Sequence, residues 1–217
     1  MISPDILTDN WDLYLEGIRN TLSASLLALA GSFILGVIVA IMRITSFRLL
    51  NILGAVYVEF FRNIPLLLVV YIFFLGLPAL GLTLNGFISG TLGLMVYTSA
   101  YIAEAVRAGI QSVPIGQTEA ARSSGLTYTQ TMRHVVLPQA VKIVIPPITN
   151  QFLNLVKNSS ILSVVSGFDL MYFGDIVNSY TYDTVSSYAF VAVFYLILTI
   201  PLSIASNALE RRLLRSG

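Results

Sequence analysis

The run from Thr21 to Met42 contains no charged residue and is closed on its far side by Arg43 and Arg48. About 20 apolar residues carry an α-helix across the hydrocarbon core of a bilayer. Hydrocarbon offers the backbone no hydrogen-bonding partner, so such a segment must be a helix or a strand of a closed barrel. The run lacks the period-2 alternation of a strand, which leaves the helix. Four further stretches follow the same logic. One lies within Leu49 to Leu77, interrupted by Glu59, Arg62, Asn63 and Pro65; the next covers Phe87 to about Ala108. The fourth covers about Ala140 to Val165, with Pro146-Pro147 inside it, and the last runs from Tyr188 to about Leu209 before Arg211, Arg212 and Arg215. Of 217 residues, 56% are hydrophobic and 11% charged, against about 25% charged in an ordinary soluble domain. That is too little charge to cover a water-facing surface. The expected fold is all-α, a multi-pass integral membrane protein of five transmembrane helices in a single domain over residues 1–217.

Charge placement predicts its orientation. Arg43 and Arg48 follow span one, Arg107, Arg122, Arg133 and Lys142 surround the loop after span three, and three arginines follow span five. The other side holds an acidic amino terminus, an uncharged loop from Gly76 to Gly86, and a loop with Asp169, Asp175 and Asp183. The positive-inside rule then puts the N-terminus outside and the C-terminus in the cytoplasm, with Arg19 as the exception. Residues 1 to 16 carry Asp5, Asp9, Asp12 and Glu16 and no Lys or Arg, the reverse of the basic start of a cleaved signal, so span one reads as retained. Cysteine is absent, and His134 is the single histidine, which excludes disulfides, thiol chemistry and a histidine metal cluster. Trp11, Tyr14 and Tyr172 suit an interfacial aromatic belt. Gly31, Ser32 and Gly36 suit close helix packing.

The loop 112–139 is the longest polar insert. Pro114 and Gly116 end span three, and Gln117 to Ser124 has the length of two helical turns, with Glu119 near the positive end of its dipole. Gly125 fits a left-handed helix stop. Thr127 and Gln130 have capping-box spacing for a second helix, which Pro138 bounds. Ala120 and Ala121 allow close approach of another backbone, and Glu119 and Arg122 could pair with a partner's rim. The bland alternative is a solvated hairpin that merely joins two spans; His134 on it is expected to be solvated.

Charges at membrane depth are costly and default to functional candidates. Tyr97, Tyr101 and Glu104 share one helical stripe, with Thr98 beside it; Asn150, Asn154 and Lys157 share another, with Asn158 adjacent. Facing each other, the stripes would offer Glu104 and Lys157 to the ammonium and carboxylate of an amino acid. Alternatively the two charges neutralise each other between spans. Pro146-Pro147 would break span four beside such a path, or would kink it only for packing.

Glu119-Ala120-Ala121, three residues, Gly125, nine residues, Val135, one residue and Leu137-Pro138 resemble the EAA loop of ABC importer permeases. Glu59-Phe60-Phe61-Arg62-Asn63-Ile64-Pro65, Tyr101-Ile102-Ala103-Glu104 with Arg107-Ala108-Gly109, and Lys157-Asn158-Ser159-Ser160 resemble the polar amino acid branch of that family. The likeness runs from about Gly17 to Arg212. It implies the type I importer permease fold and a coupling helix docked on a cytoplasmic ABC ATPase dimer through Gln117, Glu119, Ala120, Ala121, Arg122 and Gly125. It further implies an extracytoplasmic solute-binding protein and a second permease, identical or paralogous, in a bacterial or archaeal cell membrane. No Gly-Lys dipeptide occurs, so a Walker A loop is absent and ATP with Mg belongs to the ATPase. The chain itself is expected to carry no cofactor, no catalytic residue, no metal and no nucleic-acid partner. The resemblance favours glutamine or glutamate over basic amino acids, because Asn158 stands where an acidic residue is common in that branch. Candidate substrate residues are Tyr97, Thr98, Tyr101, Glu104, Asn150, Asn154, Lys157 and Asn158. The competing classes are a secondary amino acid transporter or channel not driven by an ATPase, and a membrane scaffold.

Overall fold

The computed structural model describes residues 2–215, with side chains as far as Arg212. Residues 1, 216 and 217, the side chain of Arg215, and with them the outer limits of the expected 1–217 domain lie outside the described residues. Among the described residues every regular element is helical. A short α1 (Asp5–Asp9) leads into α2 (Trp11–Ile44), which starts well before Thr21 because Asp12 in its first turn suits the positive end of the helix dipole. α3 (Arg48–Asn63) and α4 (Leu66–Tyr71) with α5 (Leu77–Ala79) occupy the second apolar stretch. They meet at 110° rather than forming one straight span. Ile64 and Pro65 are extended at the corner, since a residue before proline is driven out of the helical region.

Next come α6 (Gly86–Gln111), α7 (Ile115–Ser123), α8 (Tyr128–Thr131), α9 (Leu137–Asn158), α10 (Leu170–Thr181) and α11 (Thr184–Arg215). Two π-helical segments, Ile72–Gly76 and Met132–Val136, sit just ahead of Pro78 and Pro138. A proline lacks the N–H and crowds the carbonyl one turn back, and a widened turn relieves that crowding. Pro138 therefore does not end its helix as expected; the chain stays helical from Tyr128 to Asn158. Nor do Pro146 and Pro147 break α9, which runs through both. The break falls later, where Ser159–Val165 tightens to a 3₁₀ helix and Ser166 and Phe168 take φ of 53° and 56°.

α2, α6 and α11 are long and apolar enough to cross a bilayer, and two bent helix pairs raise the number to as many as five. α6 is the central element, with α2, α3, α4 and α9 all packed on it. Small residues set its closest approaches. A Cβ at Gly31 would meet the Met95 side chain, one at Gly36 would meet Ile102, and one at Gly93 would lie 2.8 Å from Val70. Ser32 is fully buried, so the small residues of α2 serve packing as expected.

Two aromatic and acidic assignments change. Tyr14 is fully buried and donates to the Ser187 carbonyl at 3.3 Å, so it is a core residue and not part of an interfacial belt. Its ring packs on Phe194 across α2 and α11. Asp169 is not a solvated loop charge either. It is fully buried and caps α10, accepting from the Met171 and Tyr172 N–H groups at 3.0 and 3.2 Å. The next N–H, Leu170, donates to Thr21 Oγ1 at 3.0 Å, which ties the cap to α2.

Candidate coupling and translocation sites

The loop 112–139 forms a helix, a turn and a helix. Pro114 precedes α7 in extended geometry, so α7 starts at Ile115, ahead of the expected Gln117. Glu119 consequently sits in mid-helix and not near the positive end of the dipole, whose influence fades within the first turn. Gly125 takes φ 88°, and the N–H groups of Gly125 and Leu126 reach back to the Arg122 and Ala121 carbonyls at 3.0 and 3.2 Å. Thr127 and Gln130 form the complete capping box that their spacing predicts. The space around Gly125 is open, so its glycine is required by the backbone turn and not by a close neighbour.

Within this hairpin the candidate coupling residues divide by face. Gln117, Glu119, Ala120 and Arg122 are exposed, whereas Ala121 is buried against the protein. Only Ala120 of the alanine pair is therefore open to another backbone. Arg122 donates to the Leu126 carbonyl at 3.0 Å, so its guanidinium also braces the turn. Val113, Val136 and Ala140, with Ile110 and Met132, form a small core that anchors the hairpin to the bundle. Two exposed apolar side chains went unnoticed in the sequence: Ile115 at 75% and Tyr128 at 61% exposure. Their signal was available, since both are large apolar residues in the most polar stretch of the chain.

The two intramembrane stripes do not meet as expected. A Cβ at Gly109 would touch Val144, and one at Gly90 would touch Leu162, so α6 and α9 run antiparallel. In that register Lys157 lies level with about residue 95 of α6, roughly 13 Å along the axis from Glu104. Glu104 instead accepts from Arg43 of α2 and from Arg107 one turn along α6. Arg107 also donates to Gln111 Oε1 at 2.5 Å. Neither a substrate clamp from Glu104 to Lys157 nor a mutual ion pair between them exists in this arrangement.

Along the rest of the first stripe, the hydroxyls of Tyr97 and Tyr101 lie 3.0 Å apart, and the Arg62 guanidinium stands 5.4 Å from the Tyr101 ring centroid. Thr98 beside them is buried. On α9, Asn150 and Lys157 are exposed, and Asn154 and Asn158 are half-buried. Lys157 borders a hollow of about 410 Å³ with Ser160, Met171, Tyr188 and Tyr195. Among the described residues its ammonium has no hydrogen-bond or ion-pair partner, which leaves it available to an anionic group. Among the described residues no cluster of His, Asp and Glu could hold a metal ion.

Residues 32–215 match a family described as binding-protein-dependent transport system inner membrane component. The chain is 64% identical over 211 residues to the probable glutamine ABC transporter permease protein GlnM of Bacillus subtilis (strain 168), covering 97% of this chain and 98% of that one. The crystal structure of an amino acid ABC transporter with histidines superposes with a TM-score of 0.91 at 35% identity, over 95% of this chain and 96% of that one. An inward-facing structure of the MetNI methionine ABC transporter shares the fold, with a TM-score of 0.79 at 22% identity over 94% of this chain and 98% of the other.

Proposed function

We propose a role for this chain, which belongs to the binding-protein-dependent transport system inner membrane component family, as follows. It is the membrane-spanning permease subunit of an ABC importer, and the solute it passes is a polar amino acid of the glutamine or glutamate type. The likeness to the Bacillus glutamine permease across 97% of the chain carries this reading. The chain is a transport component without catalytic residues of its own. ATP and Mg act on a separate cytoplasmic ATPase dimer, and a solute-binding protein delivers the amino acid at the opposite face. Two permease copies, or this chain and a paralogue, enclose the path in a bacterial cell membrane, with the N-terminus outside and the C-terminus inside.

The exposed face of α7 supports the coupling role. Gln117, Glu119, Ala120 and Arg122 present polar groups around a small residue, flanked by Ile115 and Tyr128. Gly125 and the capping box fix the turn, and α7 packs on the π-helical segment that leads into α9, so a push on α7 would reach α9 through that segment. The lone ammonium of Lys157 is the candidate receptor for the substrate carboxylate. Asn154 and Asn158 on the same helix add uncharged hydrogen-bonding groups suited to a polar side chain.

The test is substrate-stimulated ATP hydrolysis in proteoliposomes holding this chain, its ATPase and its binding protein. Glu119→Lys, an exposed charge reversal that leaves the helix intact, is expected to weaken ATPase assembly and to lower stimulated hydrolysis at least about tenfold. Unchanged assembly and stimulation would remove α7 as the coupling element. Amino acid uptake that persists without any ATPase would instead favour a secondary transporter.

A further inference from the structure

Arg19 is the only Lys or Arg ahead of Arg43 and departs from the charge pattern of the rest of the chain. The two arginines stand on the same helix, α2, with about 36 Å of rise between them. A hydrocarbon core is about 30 Å thick, so a helix crossing it close to the bilayer normal would carry the two guanidiniums to opposite boundaries. Arg19 is exposed there.

A surface groove of about 750 Å³ runs along this end of α2. Asp12, Glu16, Arg19, Ser23 and Leu27 line it at helical spacing, and Phe87 at the start of α6 also lines it. Glu16 and Arg19 are three residues apart, a spacing that permits pairing on a solvated face. They do not pair. Among the described residues the side chains of Asp12, Glu16 and Arg19 have no hydrogen-bond or ion-pair partner, so both signs of charge remain open to a ligand.

The order of these groups along the helix matters more than their number. The charged groups run from carboxylates, with the exposed Leu15 between them, to a guanidinium; beyond it come Asn20, whose amide is tied to the Phe168 carbonyl, a hydroxyl, and then an exposed leucine with an aromatic ring nearer hydrocarbon depth. An aminophospholipid has the complementary order: ammonium, phosphate, glycerol ester, acyl chain. We propose that this groove holds an aminophospholipid of the surrounding membrane, its ammonium at Asp12 and Glu16, its phosphate at Arg19 and an acyl chain past Leu27 and Phe87. A phosphatidylglycerol headgroup would keep its phosphate at Arg19 but would set an uncharged glycerol, in place of an ammonium, against the two carboxylates. A quaternary headgroup has no N–H to donate to those carboxylates. A free zwitterion in solution would leave Leu27 and Phe87 uncovered. The proposal depends on the chain spanning a bilayer and not on which solute is transported.

The assembled transporter in detergent is titrated with phosphatidylethanolamine, phosphatidylglycerol and phosphatidylcholine, and bound lipid is counted by native mass spectrometry. Phosphatidylethanolamine is expected to be retained about fivefold more strongly than either of the others. Arg19→Gln lowers its retention, and Arg19→Lys, which keeps the cation, restores it. Asp12→Asn combined with Glu16→Gln abolishes the preference over phosphatidylglycerol. Equal retention of the three lipids, or a preference unchanged in both charge-removing variants, overturns the proposal. Displacement of the lipid by equimolar glycerophosphoethanolamine, which has no acyl chain, also overturns it, because the groove would then bind a soluble headgroup. The complex mass reports assembly directly, and failure of Arg19→Lys to restore retention removes the phosphate assignment.

Discussion

Glu104 is held by two guanidiniums, one from the end of α2 and one from its own helix. At the residue scale this converts a candidate ligand into a clasp between helices. The three side chains are each partly exposed, at 14–25%, so the clasp is worth less than a buried pair; Glu104→Gln is expected to cost about 1–2 kcal/mol. Thermal unfolding in detergent measures it, and a loss of transport with unchanged stability would instead make Glu104 a transport residue. Asp183 plays a different part, accepting from the Ser186 N–H at 3.1 Å at the start of α11. The Ser186 side chain and N–H lower its carboxyl from the ordinary range. A lowered folded value means that its stabilisation is full above the ordinary carboxylate range and fades as pH falls through the lowered one. Asp183→Asn is therefore expected to flatten the acid side of a stability–pH profile. An unchanged acid limb in the variant would show that the cap carries no pH dependence.

At the scale of elements, α6 is positioned by glycines that admit neighbouring backbone. A Cβ at Gly86 would fall 1.7 Å from the Val165 carbonyl oxygen, where the 3₁₀ segment crosses the start of α6. Gly116 in α7 has open space around it. Gly86→Ala is expected to destabilise by about 3 kcal/mol or more, since rigid backbone cannot yield. Gly116→Ala is expected to be neutral or slightly stabilising because alanine favours a helix. Melting temperatures of the two variants side by side check this, and equal shifts would contradict the packing of α6 on the 3₁₀ segment.

For the whole molecule, the decisive feature is the separation of the two polar stripes along α6 and α9. Lys157, with its hollow against Tyr188 and Tyr195, stands apart from the clasped Glu104. Lys157→Ala is expected to lower the uptake of labelled glutamine in proteoliposomes at least about tenfold, the order of one lost charge-assisted contact. Glu104→Gln is expected to act mainly through stability. If the two variants lost uptake equally at equal stability, both charges would belong to one substrate site.

Much of this was legible along the chain, and the reason is locality. Long apolar runs force membrane helices, as in α2, because backbone groups in hydrocarbon must bond within their own segment. The loop 112–139 was readable down to its capping box and the left-handed Gly125, since both depend on residues three or four apart. Helix starts and proline effects were less legible. Pro138 and Pro146-Pro147 looked like breaks, yet a widened turn before Pro138 keeps the chain helical, and α9 runs unbroken through the pair. The partners of Glu104, the burial of Tyr14 and Asp169, and the inward turn of Ala121 were not legible at all. Each follows from contacts outside its own helical segment, and only the packed structure brings those partners within reach. The sequence by itself determined the helical membrane class and the local build of the loop; tertiary packing decided which polar side chains are tied to other helices and which, like Lys157, have no partner among the described residues.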